Sequence, residues 1–326
     1  MKCVFVLVAL VAAAHAAHPT YESLVAKVNH PSSGAKWTAE VPTRFETVEQ
    51  AKQLCGTWQK GHPNYVRLPE QKVEVAVDLP TAFDSRTAWK NCTVISKVRD
   101  QSSCGSCWAF GSTEAFEDRR CVATGEDVEF STEDTASCCK GFACGLSMGC
   151  NGGQPSAALS WMTNVGVVTG GDYPDIGKGT TCRPYTLAPC AHHVPATKTY
   201  PKCPSSEYST PKCNKACSES KYSKTYSDDK TKGDRAFSVG SAAEMQSDIM
   251  KNGPLAVAFT VYADFPTYKS GVYHHVSGGM LGGHAVEMIG WGVEAGTPYW
   301  WIKNSWNNEW GDAARTRTGR GSFWSP

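Results

Sequence analysis

The sequence has almost no surplus of either charge: Lys and Arg total 32, Asp and Glu 31. A protein that grips nucleic acid through its phosphates needs a basic excess, so composition gives that class no support. Long apolar runs are scarce too. Past the first seventeen residues, nothing approaches the ~20 consecutive apolar residues of a membrane-spanning helix. No internal repeat and no low-complexity tract occurs, which argues against solenoids and disordered arrays.

Cysteine is abundant, and its context explains why. After Lys2 the stretch CVFVLVALVAAAHAA (3–17) has a charged start, an apolar run and a small-residue end. That pattern reads as a secretory leader, cut after Ala16 or Ala17. The compartment implied is secretory, lysosomal or extracellular, where disulfides persist. Of 15 cysteines, Cys3 leaves with the leader and Cys55 lies in a segment read below as also removed. The thirteen left form an odd set, which predicts six bridges and one special thiol.

QSSCGSCWAF (101–110) raises the question of which thiol that is. A redox pair would call for a thioredoxin-like domain of ~100 residues. A structural zinc site would call for paired ligand clusters in a reducing compartment. A nucleophile at Cys107 is the third reading. Residues 108–120 look helical, so Cys107 would sit at a helix N-terminus, where the dipole and free N–H groups favour a thiolate. Candidate bases in the mature region are His192, His193, His274, His275 and His284. His284 stands in GGHAVEMIGWG (282–292), a strand bounded by glycines. KNSWNNEWGD (303–312) follows with an Asn able to hold an imidazole in one tautomer. A lone histidine is usually structural; the blocks together suggest Cys–His–Asn chemistry.

QSSCGSCWAF, GCNGGQP, GGHAVEMIGWG and KNSWNNEWGD resemble the papain-like cysteine proteases. His284 lies 177 positions after Cys107, against the ~130–150 usual in that family. The excess points to an insertion. CRPYTLAPCAHHVPATKTYPKC (182–203) supplies one, similar to the occluding loop of the cathepsin B branch. The resemblance runs from about Trp37 to Asp312. It implies an α+β, papain-like two-lobe fold: a helical left lobe beginning with the Cys107 helix, and a β-barrel right lobe carrying His284 and Asn304. Strand-like runs at 255–262, 285–292 and 299–305 all fall late, and 220–234 reads as a polar linker. The domains expected are a leader (1–17), a propeptide (18–78), a catalytic domain (79–312) and a divergent tail (313–326). In the propeptide, Tyr21, Leu24, Val25 and Val28 share a helical face. CGTW (55–58) follows, in a segment implied to lie backwards through the cleft.

Roles carry over by resemblance only. Cys107 corresponds to the nucleophile, His284 to its base, and Asn304 to the residue orienting His284. Gln101 corresponds to an oxyanion donor beside the Cys107 N–H. Trp306 would shield the His–Asn bond. Gly152, Gly153 and Gly283 would meet the substrate backbone; Gln154, Pro155, Ala258 and Ala285 would line the pocket for its second residue. Gln154 stands where the family more often has an aromatic. His192 and His193, with Asp100 as anchor, correspond to the histidines that take a substrate's C-terminal carboxylate, and Glu309 to an acid pairing with Lys198. The implied bridges are Cys92–Cys121, Cys104–Cys150, Cys138–Cys213, Cys139–Cys144, Cys182–Cys217 and Cys190–Cys203. Asn91-Cys92-Thr93 is a glycosylation sequon.

After Asp312 the family's Gly-aromatic strand and Cys-Gly-Ile-Glu segment are replaced by AARTRTGRGSFWSP. With no evident alternation, this tail is expected to be disordered or poorly packed, as after a frame slip or truncation, leaving a bare sheet edge. The acid that gives cathepsin B its taste for Arg is lost with that segment, so an apolar preference is expected. The resemblance implies an endopeptidase with dipeptidyl carboxypeptidase activity, in lysosome or endosome or secreted. It implies no metal or cofactor and a monomer. The partners implied are peptide and protein substrates, its own propeptide and cystatin-like inhibitors, with no nucleic acid and no membrane. An inactive product acting as a binding or decoy protein is the alternative.

Overall fold

The computed structural model describes residues 20–58, 61–312, 315–319 and 323–324; the expected leader lies outside them. The chain enters in helix α1 (Tyr21–Asn29), capped by the Thr20 hydroxyl accepting from the Ser23 N–H. Tyr21, Leu24 and Val28 are buried on its inner face. Strand β1 (Lys36–Ala39) follows, and then a run without regular strands to β2 (Phe83–Asp84) and α2 (Ser85–Ala88). Three helices come next: α3 (Cys107–Thr124), α4 (Thr132–Cys138) and α5 (Pro155–Asn164). Pro155 opens α5, where its missing N–H costs nothing. Helix α6 (Ala242–Asn252) starts with a capping box between Ser241 and Glu244. The remaining strands are β3 (Leu255–Tyr262), β4 (Tyr268–Tyr273), β5 (Met280–Glu294), β6 (Thr297–Lys303), β7 (Arg315–Gly319) and β8 (Phe323–Trp324).

Two large apolar cores and a smaller one, around Val94, Ile95 and Ile289, are found among the described residues. One of the large pair lies among α3, α4 and α5, around Trp108, Phe130, Trp161 and Met162. The other lies on the sheet and includes Phe259, Phe265, Trp291 and Trp306. Tyr21, Leu24, Trp37, Phe45 and Leu54 complete it, so the N-terminal segment shares the second lobe's core. Helix α3 runs between the cores, buried nearly all round, its acids Glu114, Glu117 and Asp118 included.

The class is α+β, as expected, but the right lobe is not a barrel. Strand order is β1-β4-β7-β6-β5-β3-β8, with β2 added on β5. Among the described residues no pairing joins β1 to β8, so the sheet is open. Short strands form its two edges: β1 flanks β4, and β8 flanks β3.

The described part of the tail, residues 315–319 and 323–324, is ordered where disorder or poor packing was expected. Strand β7 pairs along β6 from Tyr299↔Gly319 to Lys303↔Arg315, and in parallel with β4. An alternation is present after all, between Thr and Arg instead of apolar and polar. Thr316 and Thr318 are buried, while the half-buried Arg317 reaches Asp312 at 2.6 Å and also pairs with Glu294. Threonine is β-branched and suits a pleated surface, and unpaired β6 backbone groups supply the demand. Residues 220–234 likewise form no element but are no free linker. Buried Asp229 accepts from the Thr169 N–H at 2.7 Å, and Lys230 donates to Asp134 at 2.7 Å.

Candidate active site

Cys107 is the first residue of α3, so the unpaired N–H groups and the positive end of the dipole lie at its thiol. The side chain is fully buried. Burial alone would push the thiol up; the His284 ring, the Ala285 N–H and the Thr57 hydroxyl outweigh it, and the net shift is downward. His284, on β5, is as deeply buried. Its Nε2 lies 2.8 Å from Asn304 Oδ1. That same oxygen accepts from the Ser305 N–H at 2.8 Å, which settles which end of the amide is oxygen. Nε2 therefore carries the proton, and Nδ1, with no other hydrogen-bond partner, is left for the thiol. The Trp306 ring lies 5.0 Å from the imidazole and walls it from water.

Gln101 is fully buried and doubly held. Its Oε1 accepts from Ser305 Oγ at 2.7 Å, and one Nε2 hydrogen goes to the Cys104 carbonyl at 2.8 Å. The amide's second N–H remains for a substrate oxygen. Cys104 is bridged to Cys150, so the CxxC is one half-cystine beside one free thiol. Bridges also join Cys92–Cys121, Cys138–Cys213, Cys139–Cys144, Cys182–Cys217 and Cys190–Cys203. Among the described cysteines, Cys55 and Cys107 are free.

The cleft is occupied by the chain's own residues 55–58. The Thr57 N–H donates to the Gly283 carbonyl at 3.0 Å, and its hydroxyl sits 3.2 Å from Cys107 Sγ. Gly153 exchanges bonds with Gly56 and Trp58 at 2.8 and 3.1 Å, in parallel register. Gly153 tolerates no side chain, because a Cβ would stand 2.6 Å from the Trp108 ring. Gly152 at its side has φ +101°. Ala258 and Ala285, both buried, are direct partners in the β3–β5 register, and Pro155, also buried, opens α5. Gln154 does not leave its amide free for the cleft. It bonds the Asn64 carbonyl at 2.6 Å, the Val66 N–H at 2.6 Å and the Gly145 carbonyl at 2.8 Å.

At the cleft's other end, His192 Nε2 meets Asp100 Oδ1 at 2.7 Å. Asp100 Oδ2 accepts from Asn307 Nδ2 at 2.9 Å and from the Cys190 N–H at 3.1 Å. His192 Nδ1 accepts from the Arg44 guanidinium. His193, buried with φ +60°, packs on Trp306 at 4.8 Å and Phe45 at 5.6 Å. Burial depresses both imidazoles; Asp100 opposes this at His192, while Arg44 depresses both further. Glu309 accepts from the Thr197 hydroxyl at 3.2 Å, where Lys198 was expected as its partner. A short hydroxyl bonded to a neighbouring turn reaches it without ordering a long side chain.

The model of the papain family of cysteine proteases matches residues 79–323. The chain belongs to that family. It is 42% identical over 310 residues to a cathepsin B-like cysteine proteinase of Schistosoma japonicum, covering 93% of this chain and 87% of that one. It is 44% identical over 295 residues to cathepsin B-like cysteine proteinase 6 of Caenorhabditis elegans, covering 87% and 76%. Among solved structures it is similar to procathepsin B S9 from Trypanosoma congolense, at TM-score 0.75 and 30% identity, covering 93% and 94%. Membership implies cysteine peptidase activity, and likeness to a proenzyme structure implies a propeptide. Sequence reading missed Arg44, Phe45, Thr57 and Ser305 as parts of the site. CGTW marks the segment holding Thr57, and Ser305 adjoins Asn304; Arg44 and Phe45 carry no local signal.

Proposed function

We propose that the chain is the zymogen of a cysteine endopeptidase that also removes C-terminal dipeptides. The observation that carries this is Cys107 at a helix N-terminus, facing an imidazole held by Asn304, beneath Thr57. In the working enzyme the Cys107 thiolate attacks a peptide carbonyl. The Cys107 N–H and Gln101 Nε2 receive the oxyanion, each donor contributing about 10²–10³ in rate. His284 gives its proton to the leaving amine, and water then cleaves the thioester. Residues 18–78 act as the propeptide, with mature sequence beginning near Leu79. Their parallel course across Gly153 sets the backbone in the sense opposite to productive pairing, so the occupant is not cut.

His192 and His193 close the far end of the cleft, where they take a substrate's terminal carboxylate once Arg44 leaves. The leader-like pattern of the first seventeen residues and the six disulfides support lysosomal, endosomal or extracellular residence. A monomer that cystatin-like inhibitors block is the expected form. Pairing of β7 along β6 favours the active reading over an inactive product with a bare sheet edge. The test is acid activation under mild reductant, with Cys107→Ser as control. Hydrolysis of fluorogenic peptides, and release of dipeptides from a free C-terminus but not from its amide, supports the reading. A soluble, processed protein that cuts neither substrate refutes it.

A further inference from the structure

The groups of the reacting centre stand on three separate pieces of chain: Cys107 on α3, His284 on β5, and Asn304 just after β6. Behind them lies a buried ion cluster with no part in the chemistry above. Lys303 Nζ sits 2.6 Å from Glu287 Oε2 and 3.2 Å from Asp118 Oδ2, and donates to the Val94 carbonyl at 3.3 Å. All three side chains are at most 1% exposed. Each belongs to one of the three pieces. Lys303 immediately precedes Asn304, Glu287 lies three residues beyond His284, and Asp118 is on α3. Glu287 and Lys303 are direct partners in the β5–β6 register.

The helix geometry links cluster and centre. Cys107, Gly111, Glu114 and Asp118 follow one another at four, three and four residues, which is a single stripe of α3. That stripe faces β5: a Cβ on Gly111 would come within 3.0–3.1 Å of Val286 backbone atoms. So close an approach leaves no room at position 111 for a side chain to key α3 onto β5, so its rotation and height must be set elsewhere. Apolar contact is not directional. A buried ammonium hydrogen-bonded on three sides is directional, whether the acids it meets are charged or protonated, and fixing register is the best-attested use of such buried groups, ahead of stability.

We propose that Lys303, with Glu287 and Asp118, is a positioning device that sets the rotation and height of α3 against β5 and β6, and so the meeting of Cys107 with His284. This rests on the reading of Cys107 and His284 as the reacting pair. That reading is tested separately, because wild type must cut and Cys107→Ser must not, whatever Lys303 does.

The experiment compares Lys303→Met, which keeps length and loses charge, with Lys303→Arg and with Asp118→Asn, which removes only the charge of the α3 arm. All three are made in the full chain, acid-processed and checked for folding by melting. Expected for Lys303→Met is a kcat about 10- to 100-fold lower, the scale of a small misplacement of reacting groups, with KM for a short peptide unchanged. The pH at which Cys107 becomes alkylatable by iodoacetamide should rise, Lys303→Arg should recover most of the kcat, and Asp118→Asn should show the same signature more weakly. The proposal is overturned if Lys303→Met melts lower yet keeps wild-type kcat and alkylation profile. Should Lys303→Met not fold, a folded Asp118→Asn with wild-type kcat and profile overturns it equally.

Discussion

His192 accepts from Arg44 through Nδ1 and donates to Asp100 through Nε2, an arrangement open only to the neutral ring. The groups facing it are Asp100, Arg44, His193 and His284. Burial holds this imidazole below its ordinary value, with Asp100 opposing the shift and Arg44 adding to it, so the closed arrangement contributes stability that is present above about pH 6.5 and lost as pH falls through the lowered value. Acid therefore loosens Arg44, and with it the segment leading to Thr57. Arg44→Ala should let the zymogen process at higher pH than wild type, read as the pH of half-maximal processing on a gel; an unchanged midpoint would remove Arg44 from the switch. Ser305 supplies a second prediction. Its hydroxyl fixes the Gln101 amide at 2.7 Å, so Ser305→Ala should lower kcat about tenfold with little change in KM, less than the loss of a whole oxyanion donor.

At the scale of elements, α3 and β5 touch almost backbone to backbone at Gly111. Gly111→Val should overpack this contact and cost about 1–3 kcal/mol in denaturant unfolding. A variant as stable as wild type would mean that the two elements part easily. Strand β7 offers another check: ending the chain after Asp312 should bare the β6 edge, lower the melting temperature and promote aggregation. The α1 face, the α3 helix and strand β3 were legible in the sequence because apolar spacing or flanking glycines mark them. Strand β7 was not, because threonine on the inner face leaves no hydropathy signal. The open sheet was not either, because edge strands β1 and β8 pair across more than two hundred and about sixty residues of chain. Within the site, Cys107, His284 and Asn304 were legible as blocks with chemistry. Lys303 and Glu287 were quoted within those same blocks, but sequence gives no sign that two opposite charges in successive strands face each other in the core.

The whole molecule carries an excess of buried acid between its lobes. Burial raises Glu114 and Glu117 to about 8 and Glu287 to about 7. Arg99 and Lys303 pull against this, while Asp118 adds repulsion on Glu114 and Glu117. Values raised above those of the unfolded chain mean stability that is full below about pH 4.5 and lost as pH climbs through 7 to 8. Melting temperature of the processed protein should fall across that window; a flat profile from pH 5 to 8 would contradict it. The same pH axis thus releases the propeptide at its acid end and weakens the lobe interface at its neutral end. The central claim is a reactive thiolate at Cys107, paired with His284 and covered by the chain's own Thr57. Its most direct test is the rate of Cys107 alkylation by iodoacetamide against pH, followed by peptide mass spectrometry in intact and processed protein. The account predicts rapid labelling of the processed form well below the ordinary thiol range near 8.5, lost in His284→Ala, and slow labelling of the intact chain. Labelling that rises only near 8.5, or equally fast in both forms, would contradict it.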